Sequence, residues 1–444
     1  MSSLNRSAAK SRSFTKSYAQ THNGLRVKPV SDEDKLVRMT MAHMLWEKSF
    51  YVDGQDAAKT LVDLTQKVDP SFVATVARQA RDQFKLRHVP LLLMRGLAKR
   101  GALKAQDLTD VIQRPDETAE FLKLYWGDKK TPISNQVKKG LGNALLKFNE
   151  YQLAKWDKNS AEISLRDVMF LTHPKPKDGV QAELFKRLAN QELATPDTWE
   201  TELSAGAAKG ETFERLMTEG KLGALAFLRN LRNMLQAGVS ESVIRAYAQK
   251  VKLDRVLPFR FIAAARIVPQ LADMLEQMMF KSLETHDKLK GKTVLLVDCS
   301  GSMFGTKVSA KSDLDRFDAA AALAVLCREI CEEVEIFGFA TSTVRVDNKL
   351  RGFALVEAIR RSTDGGTDFA QAIRHVNRVV GNFDRCIMFT DEQSSTAPGP
   401  VRSEKNYLLN VAAYENGINH YDWMTITGFS EAVLDYILAV EKST

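Results

Sequence analysis

Five oxygen-bearing side chains in this sequence have the types and spacing to hold a hard cation. Val294-Leu-Leu-Val-Asp298-Cys-Ser300-Gly-Ser302 sets one carboxylate and two hydroxyls directly behind an apolar run. Four branched apolar residues in succession read as a strand covered on both faces, and open α/β sheets bind ligands beyond the carboxyl ends of such strands. Once the chain turns after Asp298, with Gly301 permitting the tight turn, Ser300 and Ser302 direct their hydroxyls into one small volume. Downstream, Gly365-Gly366-Thr367-Asp368 precedes a helical segment, and Cys386-Ile-Met-Phe-Thr390-Asp391 is a second apolar strand ending in a carboxylate. Asp298, Ser300, Ser302, Thr367 and Asp391 offer only oxygen, which selects Mg²⁺ or another hard divalent cation over zinc. Alone, the first motif would equally suit an ordinary hydrogen-bonded turn; the two downstream pieces favour the cation.

The set resembles the metal-ion-dependent adhesion site (MIDAS) of von Willebrand factor A domains, in which Asp-x-Ser-x-Ser is followed by a distant Thr and a distant Asp. Enzyme chemistry fits the same residues poorly. Ser300 stands where an Asp-x-Asp phosphatase needs its second acid, and no Gly-x-Ser-x-Gly elbow surrounds it. No histidine joins the oxygens by motif, His375 and His420 reading as incidental, so a hydrolase would lack its general base. The expectation is a protein that is not an enzyme.

A second set of residues could meet phosphates. In Val137-Lys138-Lys139-Gly140-Leu141-Gly-Asn-Ala144-Leu145-Leu146-Lys147-Phe148 the apolar positions Val137, Leu141, Ala144, Leu145 and Phe148 share a helical face, which leaves Lys138, Lys139 and Lys147 outward. The chain continues with Tyr151, Lys155 and Trp156. Ser164-Leu-Arg166-Asp167-Val-Met-Phe-Leu-Thr172-His173-Pro174-Lys175-Pro176-Lys177 reads as a capped helix stopped by Pro-Lys-Pro, with His173 at its end among basic residues. Lysines of this kind also form plain solvated faces, and a histidine can simply satisfy the last carbonyls of a helix.

The elements that must position these residues divide the 444-residue chain in two. The net charge of +8 is uneven: from Gly291 onward there are 16 Lys and Arg against 21 Asp and Glu, and the remainder has 47 against 34, giving −5 and +13. A basic region of that size joined to an acidic one points to a polyanionic partner, nucleic acid first, although a lysine-rich solvated surface would show the same split. Residues 1–30 hold six basic residues and no acid, a disordered basic arm. Ser31-Asp-Glu-Asp34 opens a capped helix, and residues 31–290 read as helix after helix. Val73, Val76, Ala77 and Ala80 share one face, and Leu222, Leu225, Leu228, Leu231 and Leu235 recur at helical spacing. Breaks fall at Asp53-Gly54, Asp69-Pro70, Gly101, Gly127, Pro174 to Gly179 and Ala237-Gly238. Helices in such number without a strict repeat suggest a HEAT-like α-solenoid.

Residues 291–444 alternate as a doubly wound sheet does. Strands are predicted near 293–298, 335–340, 343–346, 385–391 and 422–427, and helices near 313–333, 353–361, 368–380, 402–416 and 430–441. Ala319 to Ala324 is read as the sheet-facing side of the first of these helices. All four cysteines lie in this part and read as buried thiols, Cys327 and Cys331 on one helix face. The longest apolar run is too short for a membrane span and the N-terminus lacks a signal core, so a cytoplasmic protein is expected.

A basic helical region carrying Leu-Arg-Asp, His and Lys-Pro in this order, followed by an A-type domain, resembles the Ro autoantigen, or TROVE-module, family. Leu225-Ala-Phe-Leu228-Arg229-Asn230-Leu231, Val256-Leu257-Pro258-Phe259, Thr427-Gly428-Phe429 and Val433-Leu434-Asp435 add to the resemblance. It implies a monomeric ring of helical repeats closed by the A domain. It further implies binding of small structured, Y-like RNAs and of the single-stranded 3′ ends of misfolded noncoding RNAs in ribonucleoprotein particles of RNA quality control, with an exoribonuclease as a possible companion. His173 falls at the family's RNA-contacting histidine, and Lys138 and Lys139 in its basic helix. Lys147, Arg166 and Lys175 complete the candidate RNA surface. Where many members have Thr-Asp-Asn-Glu, this chain has Thr390-Asp391-Glu392-Gln393, and its shorter helical part points to a bacterial type. The alternative is a protein-interaction scaffold whose cation captures a partner's carboxylate.

Overall fold

A computed structural model describes residues 31–42, 54–427 and 432–443, apart from the short segments 83–84, 128, 158–161, 254–255, 257–258, 285–286, 306–314, 395 and 413–422. The N-terminal arm, His420, Leu257-Pro258 and Gly428-Phe429 lie outside the described residues. From Asp32 to Leu283 the described chain is a succession of helices, and from Leu289 it forms a six-stranded sheet with helices on both faces.

The helix boundaries follow local chemistry. Ser31 accepts a hydrogen bond from the Asp34 amide at 3.0 Å, as its position before an acidic first turn predicts. Asp69 caps the helix that begins at Pro70, and Gly101 and Gly238 end helices with positive φ. Val73, Val76, Ala77 and Ala80 are all buried. Leu228 and Leu231 are buried in the Ala224–Gln236 helix, whereas Leu225 on the same leucine series is exposed. Close packing of neighbouring helices is visible at Gly140, where a Cβ would lie 2.9 Å from the carbonyl oxygen of Ala105.

The strands are β1 (Leu289–Asp298), β2 (Cys331–Phe339), β3 (Thr343–Val346), β4 (Arg385–Thr390), β5 (Lys405–Asn410) and β6 (Met424–Thr427), in the order β3-β2-β1-β4-β5-β6. All neighbours are parallel except β2 and β3. Alternate residues of β1 serve different cores. Val294 and Leu296 face a cluster with Phe337, Phe369 and Met388, while Leu295 and Val297 join the Arg316–Ile330 helix and the last helices of the helical region.

Three expectations need correction. The described part of the segment 402–416 is not a helix: Lys405–Asn410 is β5, between β4 and β6. Tyr407-Leu-Leu is too short an apolar run for periodicity to separate strand from helix. Cys331 is not on the helix of Cys327 but begins β2, although all four cysteines are buried and free. The alanines of the Arg316–Ile330 helix do not mark one inward side, because every residue from Ala319 to Cys327 is buried. The helix has the sheet on one side and the helices Phe259–Ile267 and Ala272–Leu283 on the other, so it is apolar all round.

Those same contacts make the ring. Its last helices pack on the Arg316–Ile330 helix, and its first described helix, Asp32–Ala42, packs on β6 and the C-terminal helix Ala432–Ser443. Tyr436 of that terminal helix touches both the core of residues 36–188 and the core that includes the sheet. Among the described residues no helix is long and apolar enough to cross a membrane.

Candidate cation centre and nucleic-acid surface

β1 and β4 are neighbours at the centre of the sheet, and the order reverses there, so loops from their carboxyl ends face one crevice. Asp298 ends β1 fully buried. One of its carboxylate oxygens accepts the Ser300 amide at 2.9 Å and the other accepts the Thr390 hydroxyl at 2.6 Å. The Ser300 and Ser302 hydroxyl oxygens are 3.3 Å apart. The Gly301 amide donates to the Gly365 carbonyl at 3.0 Å, which holds the loop of Thr367 against the first loop. Ser394 donates its hydroxyl to the Thr367 carbonyl at 3.2 Å, tying in the loop after β4.

Asp391 is fully buried next to this cluster. Burial, and then the Asp391 carboxylate, push the Asp298 carboxyl up to about 7. Two acids placed so close, with three hydroxyls around them, fit a hard divalent cation. Asp298, Ser300 and Ser302 could supply direct ligands, and Thr367 and Asp391 border the same crevice. Among the described residues no three His, Cys, Asp or Glu gather to hold a metal, so a cation here depends on the hydroxyls.

Two participants escaped the sequence. Thr390 orients Asp298, and its signal was only its position before Asp391. Arg316 donates to an Asp391 oxygen at 2.5 Å and reaches the Ser302 carbonyl at 3.4 Å, and it is itself 3% exposed. The signal for Arg316 was a cation in the first turn of a helix, where the macrodipole disfavours it unless an anion compensates.

The second candidate region gathers around the helices Asn135–Leu145 and Leu165–Thr172, which pack together. Lys138 and Lys139 are exposed on the first. One turn beyond Lys138, the position of a Cβ on Gly142 would be 3.7 Å from Pro174, so the lysine lies on the face that meets the end of the second helix. His173 is the C-cap there, exposed, with φ 47° and ψ 59°, and its amide donates to the Met169 carbonyl at 2.9 Å. Lys175 is exposed just beyond it. Arg166 is half-buried, its guanidinium 5.5 Å from the ring centre of Phe170, and Phe170 is 50% exposed. Tyr151 is 48% exposed with the Lys155 ammonium 5.8 Å from its ring, and Arg114 lies 3.6 Å over Trp156. Of these pairs, the exposure of Phe170 was not foreseen, since an apolar residue inside a helix reads first as core.

Lys147 departs from the outward position expected of it. The helix stops at Leu145, so Lys147 leaves the periodic face, and its ammonium donates to the carbonyls of Thr109 at 2.7 Å and of Ile112. Burial holds this ammonium below the usual lysine range. The lysine ties off the end of the Ala105–Val111 helix rather than presenting its charge to solvent.

Residues 186–292 match the TROVE domain. Part of the chain is thus similar to the TROVE domain. The matched TROVE segment runs through the second half of the helical ring into β1, and the surface at 138–177 precedes it. Telomerase protein component 1 of Mus musculus is 38% identical over 89 residues, and that of Rattus norvegicus 40% identical over 78 residues. These alignments cover 19% and 16% of this chain and 3% of each relative, so the chain spans a small fraction of their length. The crystal structure of the Ro (Rsr) protein of Deinococcus radiodurans has a similar fold, with TM-score 0.64 and 20% identity over 93% of this chain and 100% of that one.

Proposed function

We propose that this protein binds RNA on its helical ring and performs no catalysis itself. The observation that carries this reading is that Lys138 and Lys139 are exposed on the Asn135–Leu145 helix, which packs on the Leu165–Thr172 helix, where Phe170, His173 and Lys175 are exposed at and just beyond its end. Lysines supply phosphate contacts, and accessible aromatic and imidazole rings supply stacking for unpaired bases, which together suit single strands and irregular RNA better than a regular duplex. Small structured RNAs and the free 3′ ends of misfolded noncoding RNAs are the ligands of this reading, with quality control as the setting and an exoribonuclease as a partner. The C-terminal domain closes the ring and holds a divalent cation, Mg²⁺ by its donor set, at Asp298, Ser300 and Ser302.

Gel-shift titrations with structured RNAs, with and without a single-stranded 3′ extension, test the proposal. The extension should tighten binding, and Lys138→Glu/Lys139→Glu should weaken it for every RNA. Equal, undiminished binding by wild type and the double variant would remove the 138–177 surface from the reading. A scaffold that captures a partner's carboxylate would instead bind no RNA.

A further inference from the structure

The buried Arg316–Asp391 pair changes what the cation centre can be. Asp391 ends the β4 side of the crevice and is completely buried, and its Oδ2 receives a guanidinium N–H at 2.5 Å. Its other oxygen accepts the Gln393 amide at 3.2 Å. The same guanidinium nitrogen reaches the Ser302 carbonyl at 3.4 Å, so the arginine bridges the two loops whose hydroxyl and carboxylate oxygens would surround the ion. Arg316 is in the first turn of its helix, behind the Asp315 cap, and so is fixed by the backbone rather than carried on a flexible loop.

A carboxylate already paired with an arginine cannot lend its full charge to a metal. From these contacts we infer that Arg316 is a positioning residue of the centre: it neutralises Asp391, holds that carboxylate back from direct ligation, and sets a weak affinity for the divalent ion. Asp298 is then the acid that binds the ion, with the hydroxyls of Ser300 and Ser302 as neutral ligands. The ion keeps most of its positive charge and open coordination positions for an outside oxygen ligand. Arg316 also stands in for the ion when none is bound, because it leaves one fewer uncompensated acid in the crevice. This inference rests on the cation centre proposed above.

Mn²⁺ titrations of the full chain, read by electron paramagnetic resonance of the free ion and by thermal melting, test it. Arg316→Gln should bind Mn²⁺ more tightly, by at least about twofold, the lower end of the coupling between groups in direct contact. It should melt lower than wild type in chelator and gain more from Mn²⁺. If Arg316 merely props the loops, Arg316→Gln melts lower by the same amount with and without Mn²⁺ and its affinity is unchanged or weaker, which overturns the inference. A second comparison decides the matter should Arg316→Gln fail to fold. Asp391→Asn leaves the guanidinium uncompensated and should weaken Mn²⁺ binding, and Asp391→Asn/Arg316→Gln, in which both groups are neutral, should recover it. Equal weakening in both variants would make Asp391 a direct ligand and Arg316 a bystander. Absence of Mn²⁺ binding from wild type and every variant would refute the centre itself, a result distinct from equal affinities across the series.

Discussion

His173→Gly should separate RNA recognition from folding more cleanly than other substitutions at this position. The backbone at 173 is left-handed, with φ 47° and ψ 59°, in the C-cap of the Leu165–Thr172 helix. A residue with a Cβ loses roughly 1–2 kcal/mol in that conformation, although histidine is among the residues found there more often. Glycine removes this strain but costs about 0.5–1 kcal/mol through the freedom it adds to the unfolded chain. The net change in stability therefore lies between about zero and a gain of about 1.5 kcal/mol, a rise of no more than a few degrees in a chain of this length. The amide of residue 173 still donates to the Met169 carbonyl, so the cap survives. The imidazole is lost, and if it stacks on a base its removal should cost about 1–3 kcal/mol of binding, roughly 5- to 150-fold in Kd. Thermal melting and fluorescence anisotropy with a 3′-tailed RNA measure both quantities on one protein. An unchanged Kd with an unchanged or raised Tm would refute the role assigned to this ring.

Other perturbations address the remaining claims. Affinity for RNA should fall steeply with salt, with a log-log slope of roughly 0.7 per phosphate contacted on single strands, and Lys138→Glu/Lys139→Glu should flatten that slope in the same anisotropy titration. Asp298→Ala should abolish any rise in Tm on adding Mg²⁺, because it removes the acid anchored at the end of β1; equal shifts in both proteins would discount the centre. In chelator, stability should decline as pH rises from the usual carboxylate range toward 7, since the native Asp298 carboxyl, pushed up to about 7, holds a proton that the unfolded chain has released. Melts across that window should show the decline in wild type and its loss in Asp298→Asn. Glu117→Ala should lower stability by about 3–5 kcal/mol in denaturant unfolding, because Glu117 is fully buried and its loss leaves the buried Arg81 guanidinium without its carboxylate; a change under 1 kcal/mol would contradict the pairing.

What the sequence determined by itself was whatever local chemistry encodes. The run Val294 to Val297, four branched apolar residues closed by Asp298-Cys-Ser300-Gly-Ser302, read as a strand covered on both faces that carries its oxygen ligands to its carboxyl end. Ser31, Asp69 and Ser164 announced helix starts, since a cap and its amide partners lie within a few residues of each other. The split of charge between ring and sheet needed only counting. Tertiary structure decided the rest. β5 became a strand because β4 and β6 stand on either side of it, a fact absent from Tyr407-Leu-Leu itself. Lys147 turned inward because the carbonyls it satisfies belong to residues 35 and 38 positions earlier. Arg316 and Asp391 are 75 residues apart and meet only when the first loop, the helix behind it and the end of β4 fold into one crevice. Their pairing is electrostatic and long in sequence, so no periodicity or spacing foretells it, yet it governs how much charge the crevice has left to offer a cation.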